Sequence, residues 1–291
     1  MNQDSLPAVI VISSHVVRGT VGNRAAVFAL ESLGFQVWAV PTIILPWHPG
    51  HGRATRIVPD GAGFAAMMED LSKAPWLAEV GAVLSGYLGD AAQAGAVAKL
   101  VEAVKKQNPN ATYLCDPVIG DEGGLYVPEA TAAAIRDHLL PLADIVTPNR
   151  FELAWLTNTN LDDNQAIMSA ADSLEAATVI ATSAIPMMTG STGNLLINAQ
   201  ETVMAEHRLV DGPTNGLGDL TAALFLARRL MGESNEKALR HTTAAVFETL
   251  ARAAKRGSDE LMLASDAGAL SHPMAMVQMR RMMRPRPKSP A

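Results

Sequence analysis

Short runs of apolar, β-branched residues recur along the chain, separated by longer amphipathic stretches rich in alanine and leucine. Residues 8–13 (AVIVIS), 36–43, 82–85, 111–115, 143–146 and 178–182 have the length and composition of buried strands. Between and after them, residues 25–33, 64–71, 91–106, 128–139, 151–156, 167–176, 217–230 and 237–254 carry helical patterning. The helix starting at Pro128 has proline in its first turn, where the missing N–H has no partner to lose. The rhythm breaks over 186–210, where 187–189, 195–198 and 202–209 read as an antiparallel meander.

Strands alternating with helices predict an α/β fold: a mostly parallel central sheet, helices on both faces, and a few antiparallel edge strands. No linker divides the chain, so residues 1–260 are read as one domain and 261–291 as a C-terminal segment. The last dozen residues, with Arg280, Arg281, Arg284, Arg286 and three prolines, read as a mobile basic tail.

Composition narrows the function. Of 291 residues, 48% are hydrophobic and 18% charged, which suits a sizeable core. The formal net charge of -6 argues against nucleic acid or an anionic membrane as partner. A polyanionic substrate would therefore need local N–H groups or a metal ion. Cys115 is the one cysteine, so no intramolecular disulfide forms, and a reducing cytoplasm is expected. The first residues lack a basic n-region, and no apolar run reaches membrane-spanning length. Seven histidines form no metal triad, and fourteen methionines show no cofactor pattern.

Candidate chemistry gathers where an open α/β sheet binds ligands, at the carboxyl ends of the strands. These ends carry Ser13-Ser14-His15, then Gly86-Tyr87, then 116–121 (DPVIGD), then 147–152 (TPNRFE), then Thr182-Ser183. Asp116, Asp121 and Glu152 suit Mg²⁺, which takes one or two carboxylates with water and phosphate. Gly216-Leu217-Gly218-Asp219 opens a helix. Its N–H groups and helix dipole can hold an anion, with Asp219 placed to take a proton from an attacking hydroxyl. Taken alone, the same four residues also suit an ordinary turn with Asp219 in the first helical turn. His48 and His51 lie in a proline- and glycine-rich loop that reads equally as a pocket wall or a surface loop.

Together these motifs resemble the pyridoxal kinases of the ribokinase-like superfamily, over roughly residues 8–255. The resemblance rests on 14–19 (SHVVRG) with 21–26 (VGNRAA), 84–87 (LSGY), 115–121 (CDPVIGD) with 125–128 (LYVP), 141–149 (PLADIVTPN) with Phe151-Glu152, and 216–219 (GLGD). It implies ATP-dependent phosphorylation of the hydroxymethyl group of a B6 vitamer, usually by a homodimer. By it, Ser14 bonds the pyridine ring, Tyr87 lies against it, and the loop with His48 and Pro49 closes over it. Asp219 is then the base, and Asp116, Asp121 and Glu152 organise Mg²⁺. Thr147 and Thr182, with Asp116, match positions that hold a monovalent cation such as K⁺ in some members. Asn149, Ser183 and the backbone of Gly216, Leu217 and Gly218 meet the ATP phosphates. The chain departs from the family pattern in three places: Leu217 replaces the usual threonine or valine, Pro49 stands where threonine is frequent, and the segment after Asp121 is short. Hydroxymethylpyrimidine kinase, with the same fold and reaction type, is the alternative enzyme. A vitamer-binding protein with little turnover is the alternative of another class.

Overall fold

The computed structural model describes residues 6–213 and 215–283. The chain runs β1 (Ala8–Arg18), α1 (Asn23–Ser32), β2 (Val37–Trp47), α2 (Gly61–Ser72), β3 (Val80–Ser85), α3 (Ala92–Gln107) and β4 (Thr112–Cys115). A small hairpin of β5 (Gly120–Asp121) and β6 (Gly124–Leu125) follows. Next come α4 (Glu129–Ala134), β7 (Ile145–Val146), α5 (Arg150–Thr157), α6 (Asn164–Asp172), β8 (Thr178–Ala184), β9 (Ser191–Asn198) and β10 (Thr202–Arg208). The chain continues through α7 (Leu217–Leu230), α8 (Asn235–Arg256), α9 (Ala267–Ser271) and β11 (Gln278–Arg281).

Among the described residues, nine strands form one sheet in the order β11-β10-β9-β8-β7-β4-β3-β1-β2. β2, β1, β3, β4, β7 and β8 run parallel, and β8 to β11 pair antiparallel. The expected α/β class with antiparallel edge strands is what the chain adopts. Successive side chains of a strand point to opposite faces. On β1, Val9 and Val11 face α1, α7 and α8, while Ala8, Ile10 and Ile12 face α2 and α3. Both faces are covered, which is why the strand reads as a continuous apolar run. No helix among the described residues is long and apolar enough to cross a membrane.

Four details differ from the sequence reading. β1 does not stop at Ser13: after an irregularity between Ser13 and His15 it pairs on with β2, Val16 opposite Leu45 and Arg18 opposite Trp47. Residues 187–189 are a turn, because the Met187 and Met188 N–H groups donate to the Glu206 carboxylate instead of a strand partner. The helix expected over 128–139 holds α geometry only to Ala134, then widens to a π turn over Ile135–Leu139. Arg280 and Arg281 are not in a loose tail but in β11, beside β10, where Arg280 Nε meets the buried Glu206 at 2.8 Å. Arg284 and Arg286 lie outside the described residues. Leu261, Leu263 and Leu270, beyond α8, belong to the core under α7 and α8.

Candidate active site

The chain leaves β1 for β2 on one side and returns to β3 on the other, so the strand order reverses at β1. In open α/β sheets the ligand crevice lies at such a switch point. Its floor holds Ser13, Ser14, Ser85 and Gly86, all buried. Two glycines let backbones close here. A Cβ on Gly86 would sit 2.6 Å from the Ser13 hydroxyl, and one on Gly22 would sit 2.3 Å from both the hydroxyl and the carbonyl oxygen of Ser14. Gly22 also takes φ +57°, which a side chain disfavours. Beside this floor Tyr87 receives a bond from Arg56 Nη2 to its hydroxyl at 2.9 Å. The loop after β2 folds on itself: the His48 ring accepts from the Gly50 N–H, and Trp47 Nε1 donates to the Gly52 carbonyl. Pro49 is exposed on it.

Asp116 and Glu152 are buried at the ends of β4 and in α5. Glu152 completes a capping box: Asn149 Oδ1 accepts from the Glu152 N–H, and Glu152 Oε2 accepts from the Asn149 N–H. Its other oxygen takes the Ile119 N–H at 2.8 Å, so one carboxylate ties α5 to the β4–β5 connection. Its pKa is raised to about 7, foremost by burial and also by Asp219, against the N–H groups of Asn149, Ile119 and Gly120, which pull it down. The Asp116 carboxyl is raised well above the usual range, first by burial and then by the charges of Glu152 and Asp219. The Thr147 hydroxyl donates to it at 2.8 Å and draws it back. None of the groups acting on Asp116 is a cation. Val118, two residues on, is held at φ +43°, an outlier for a β-branched residue.

At the start of α7, Gly216 adopts φ +83° and ψ -1°, and the Thr20 carbonyl oxygen lies 2.1 Å from where its Cβ would be. Only glycine fits. Nothing lies within 4 Å of the Cβ position on Gly218, so that side of the first turn is open. The first N–H groups of a helix have no intrahelical partner, and the helix dipole adds positive character there. Asp219 follows directly. Burial raises its carboxyl, while the N–H of Gly22 and its own N–H hold the charged form.

The structure thus gathers Asp116, Glu152 and Asp219 into mutual electrostatic reach, next to Thr147. It does not add Asp121, which is exposed in the hairpin and accepts from the Tyr126 hydroxyl. The expected carboxylate trio therefore has Asp219 where Asp121 was placed. Among the described residues no three His, Cys, Asp or Glu side chains form a closed metal cage. Buried acids that repel one another still suit a hard cation that completes its shell with water and phosphate. Asn149 spends its side chain on the cap and on the Gly120 carbonyl at 2.7 Å. Thr182 bonds the Pro148 carbonyl, and exposed Ser183 takes φ +59° where β8 loses register with β9. Sequence reasoning passed over Thr20 and Arg56. Gly22 entered only within the 21–26 motif, with no role of its own.

The sequence profile of the phosphomethylpyrimidine kinase family matches residues 66–264. A protein of Rubrobacter xylanophilus named pyridoxal kinase PdxY is 34% identical over 97% of this chain and 99% of its own length. Its namesake from Granulibacter bethesdensis is 37% identical over 87% of this chain and 92% of its own. Among solved structures, pyridoxal kinase from Leishmania donovani in complex with ADP and pyridoxamine superposes with a TM-score of 0.89. It is 28% identical, over 95% of this chain and all of that one.

Proposed function

The chain belongs to the pyridoxal kinase family of the ribokinase-like superfamily, and from that premise we propose how its residues carry out ATP-dependent phosphorylation of the 5'-hydroxymethyl group of pyridoxal, a step of B6 salvage. The observation that carries the residue assignment is the start of α7. There a candidate base, Asp219, whose charged form the Gly22 N–H favours, stands in the first turn of α7 within electrostatic reach of the acids Asp116 and Glu152.

In this reading the ring of the vitamer lies on the crevice floor. Ser14 bonds it, Tyr87 flanks it, and the loop of His48 and Pro49 covers it. Asp219 takes the proton of the hydroxymethyl group as its oxygen attacks the γ-phosphorus of ATP. The N–H groups of Leu217 and Gly218 at the mouth of α7 receive negative charge on the transferring oxygens, which a preorganised dipole does without reorganising. Gly216 makes the turn that aims them. Asn149, Thr147, Glu152, Thr182 and Ser183 flank the rest of the nucleotide. Mg²⁺, when bound, neutralises phosphate charge. Asp116 and Glu152 would hold it directly or through water, with Asp121 further out. Thr147 and Thr182, with Asp116, are the candidate ligands of K⁺. The kinase unit is read as one domain over 1–260, and as a cytoplasmic homodimer in keeping with the family resemblance.

The test is turnover by the purified protein with Mg·ATP and pyridoxal, following pyridoxal 5'-phosphate formation. Pyridoxine, pyridoxamine and a hydroxymethylpyrimidine serve as competing substrates. The family profile favours the pyrimidine as a second reading. A higher kcat/KM for the pyrimidine than for any B6 vitamer would replace the first reading with the second. Tight pyridoxal binding without turnover would replace it with a vitamer-binding role.

A further inference from the structure

Glu260 lies just past α8, far in sequence from the residues discussed above, and is 8% exposed. A buried carboxylate is costly unless its oxygens are satisfied. Both are. Oε2 accepts from the Thr20 N–H at 3.1 Å and lies 3.2 Å from the Thr20 hydroxyl, while Oε1 lies 2.8 Å from His51 Nε2. The chain also makes room for it. Gly19 takes φ +116°, and a Cβ there would stand 2.7 Å from Glu260 Oε1. Arg18 fixes the same corner from outside by bonding Asp259 at 2.7 Å.

What Glu260 holds is more telling than the bonds themselves. Thr20 begins the turn whose Gly22 N–H favours the charged form of Asp219, and the Thr20 carbonyl packs against Gly216, three residues before that base. His51 is in the loop that also carries His48. One oxygen thus anchors the turn beneath the candidate base, and the other anchors the loop over the candidate vitamer pocket. We propose that Glu260 is a positioning residue that couples the vitamer loop, through His51, to the seat of Asp219, through Thr20. The inference deepens the kinase reading and rests on it.

The two arms separate by kinetics. His51→Phe cuts one arm only. It should raise Kd and KM for pyridoxal by about tenfold, the order of one hydrogen bond to a charged acceptor, with kcat and the KM for ATP unchanged. Glu260→Ala cuts both arms. It should raise the pyridoxal KM equally and also lower kcat by about tenfold, and Glu260→Gln, which keeps an oxygen for Thr20, should restore most of kcat. In the double variant with Glu260→Ala, His51→Phe should add nothing further to KM. Fully additive KM effects, or a Glu260→Ala chain with lowered melting temperature and unaltered kinetics, would overturn the coupling. If Glu260→Ala does not fold, His51→Phe decides alone, because its residue sits on an exposed loop, and an unchanged pyridoxal Kd rejects the proposal. Kd measured calorimetrically without ATP keeps this test apart from the kinase reading. Wild-type protein that binds pyridoxal but never phosphorylates it would sink that reading and leave the loop arm measurable.

Discussion

The two sides of the crevice are built on opposite principles. Around β1 and the start of α7, the acids are answered from within the protein: the Gly22 N–H favours the charged form of Asp219, and Glu260 has Thr20 and His51. Around β4 and α5, Asp116 and Glu152 are buried, the charge of Glu152 raises the pKa of Asp116, that of Asp219 raises both, and only neutral donors answer them. One side is assembled by folding alone. The other is left with an excess of negative charge that a cation and its phosphates would complete. A kinase gains from the contrast. The hydroxyl acceptor must be aligned to within fractions of an ångström, whereas a metal entering with the nucleotide would complete its own shell with water and phosphate.

The contrast can be broken most severely from the cation side. Excess chelator should reduce turnover to background, while pyridoxal Kd without ATP stays within about twofold, a difference of under about 0.5 kcal/mol. Activity that survives chelation would remove the metal assignment to Asp116 and Glu152. Next in size is Asp219→Asn, which preserves shape and polarity but removes the base. It should lower kcat by about 10²–10⁴ with little change in ATP affinity. Near-normal kcat in that variant would make Asp219 a structural residue of the first turn. Ser14→Ala sharpens the comparison on the assembled side. Removing one neutral ring contact should raise the pyridoxal KM by an amount worth about 0.5–1.5 kcal/mol and leave kcat nearly intact. An unaltered KM would put the ring elsewhere.

The smallest effect is on stability. The folded pKa of Glu152, about 7, is above the ordinary 4.5, so the folded protein binds more protons between those values. The contribution of Glu152 is therefore full below about pH 4.5 and is lost as pH rises through about 7. Compared with Glu152→Gln, which keeps the capping box, metal-free wild type should lose on the order of 2 °C in melting temperature across that window, the shift that about 1 kcal/mol produces in a chain of this size. Added Mg²⁺ should erase the difference. Parallel pH curves for the two proteins would count against an uncompensated Glu152.

Much of this was legible in the sequence, for physical reasons. Continuous apolar runs and helical patterns report burial, and burial decides the sheet, so β3, β4, α3, α7 and α8 were readable to within a few residues. Glycine at 216 was readable because a left-handed turn before a helix admits little else. What escaped depended on contacts distant in sequence. Residues 14–18 look like a loop until the second half of β2 is known to lie beside them. Asp121 looks equivalent to Asp116 until the chain turns it outward into a hairpin. Glu260 has no local signature, since its partners are about 210 and 240 positions away.

The edge strand β11 carries a consequence for how the polypeptide emerges during synthesis. β10 is the eighth of the nine main-sheet strands in chain order, yet among the described residues its outer edge is covered by the later residues 278–282. Until they leave the ribosome, β10 offers an unpaired row of N–H and C=O groups, and Glu206, fully buried in the finished fold, lacks Arg280. An open edge of that kind invites pairing with a second nascent copy. The far edge is guarded earlier, because the Ile44–Ile57 bridge folds over β2 within its own neighbourhood. Chains halted before residue 278 should therefore aggregate through β10 rather than β2, which makes the late-arriving strand a closing seal on the sheet.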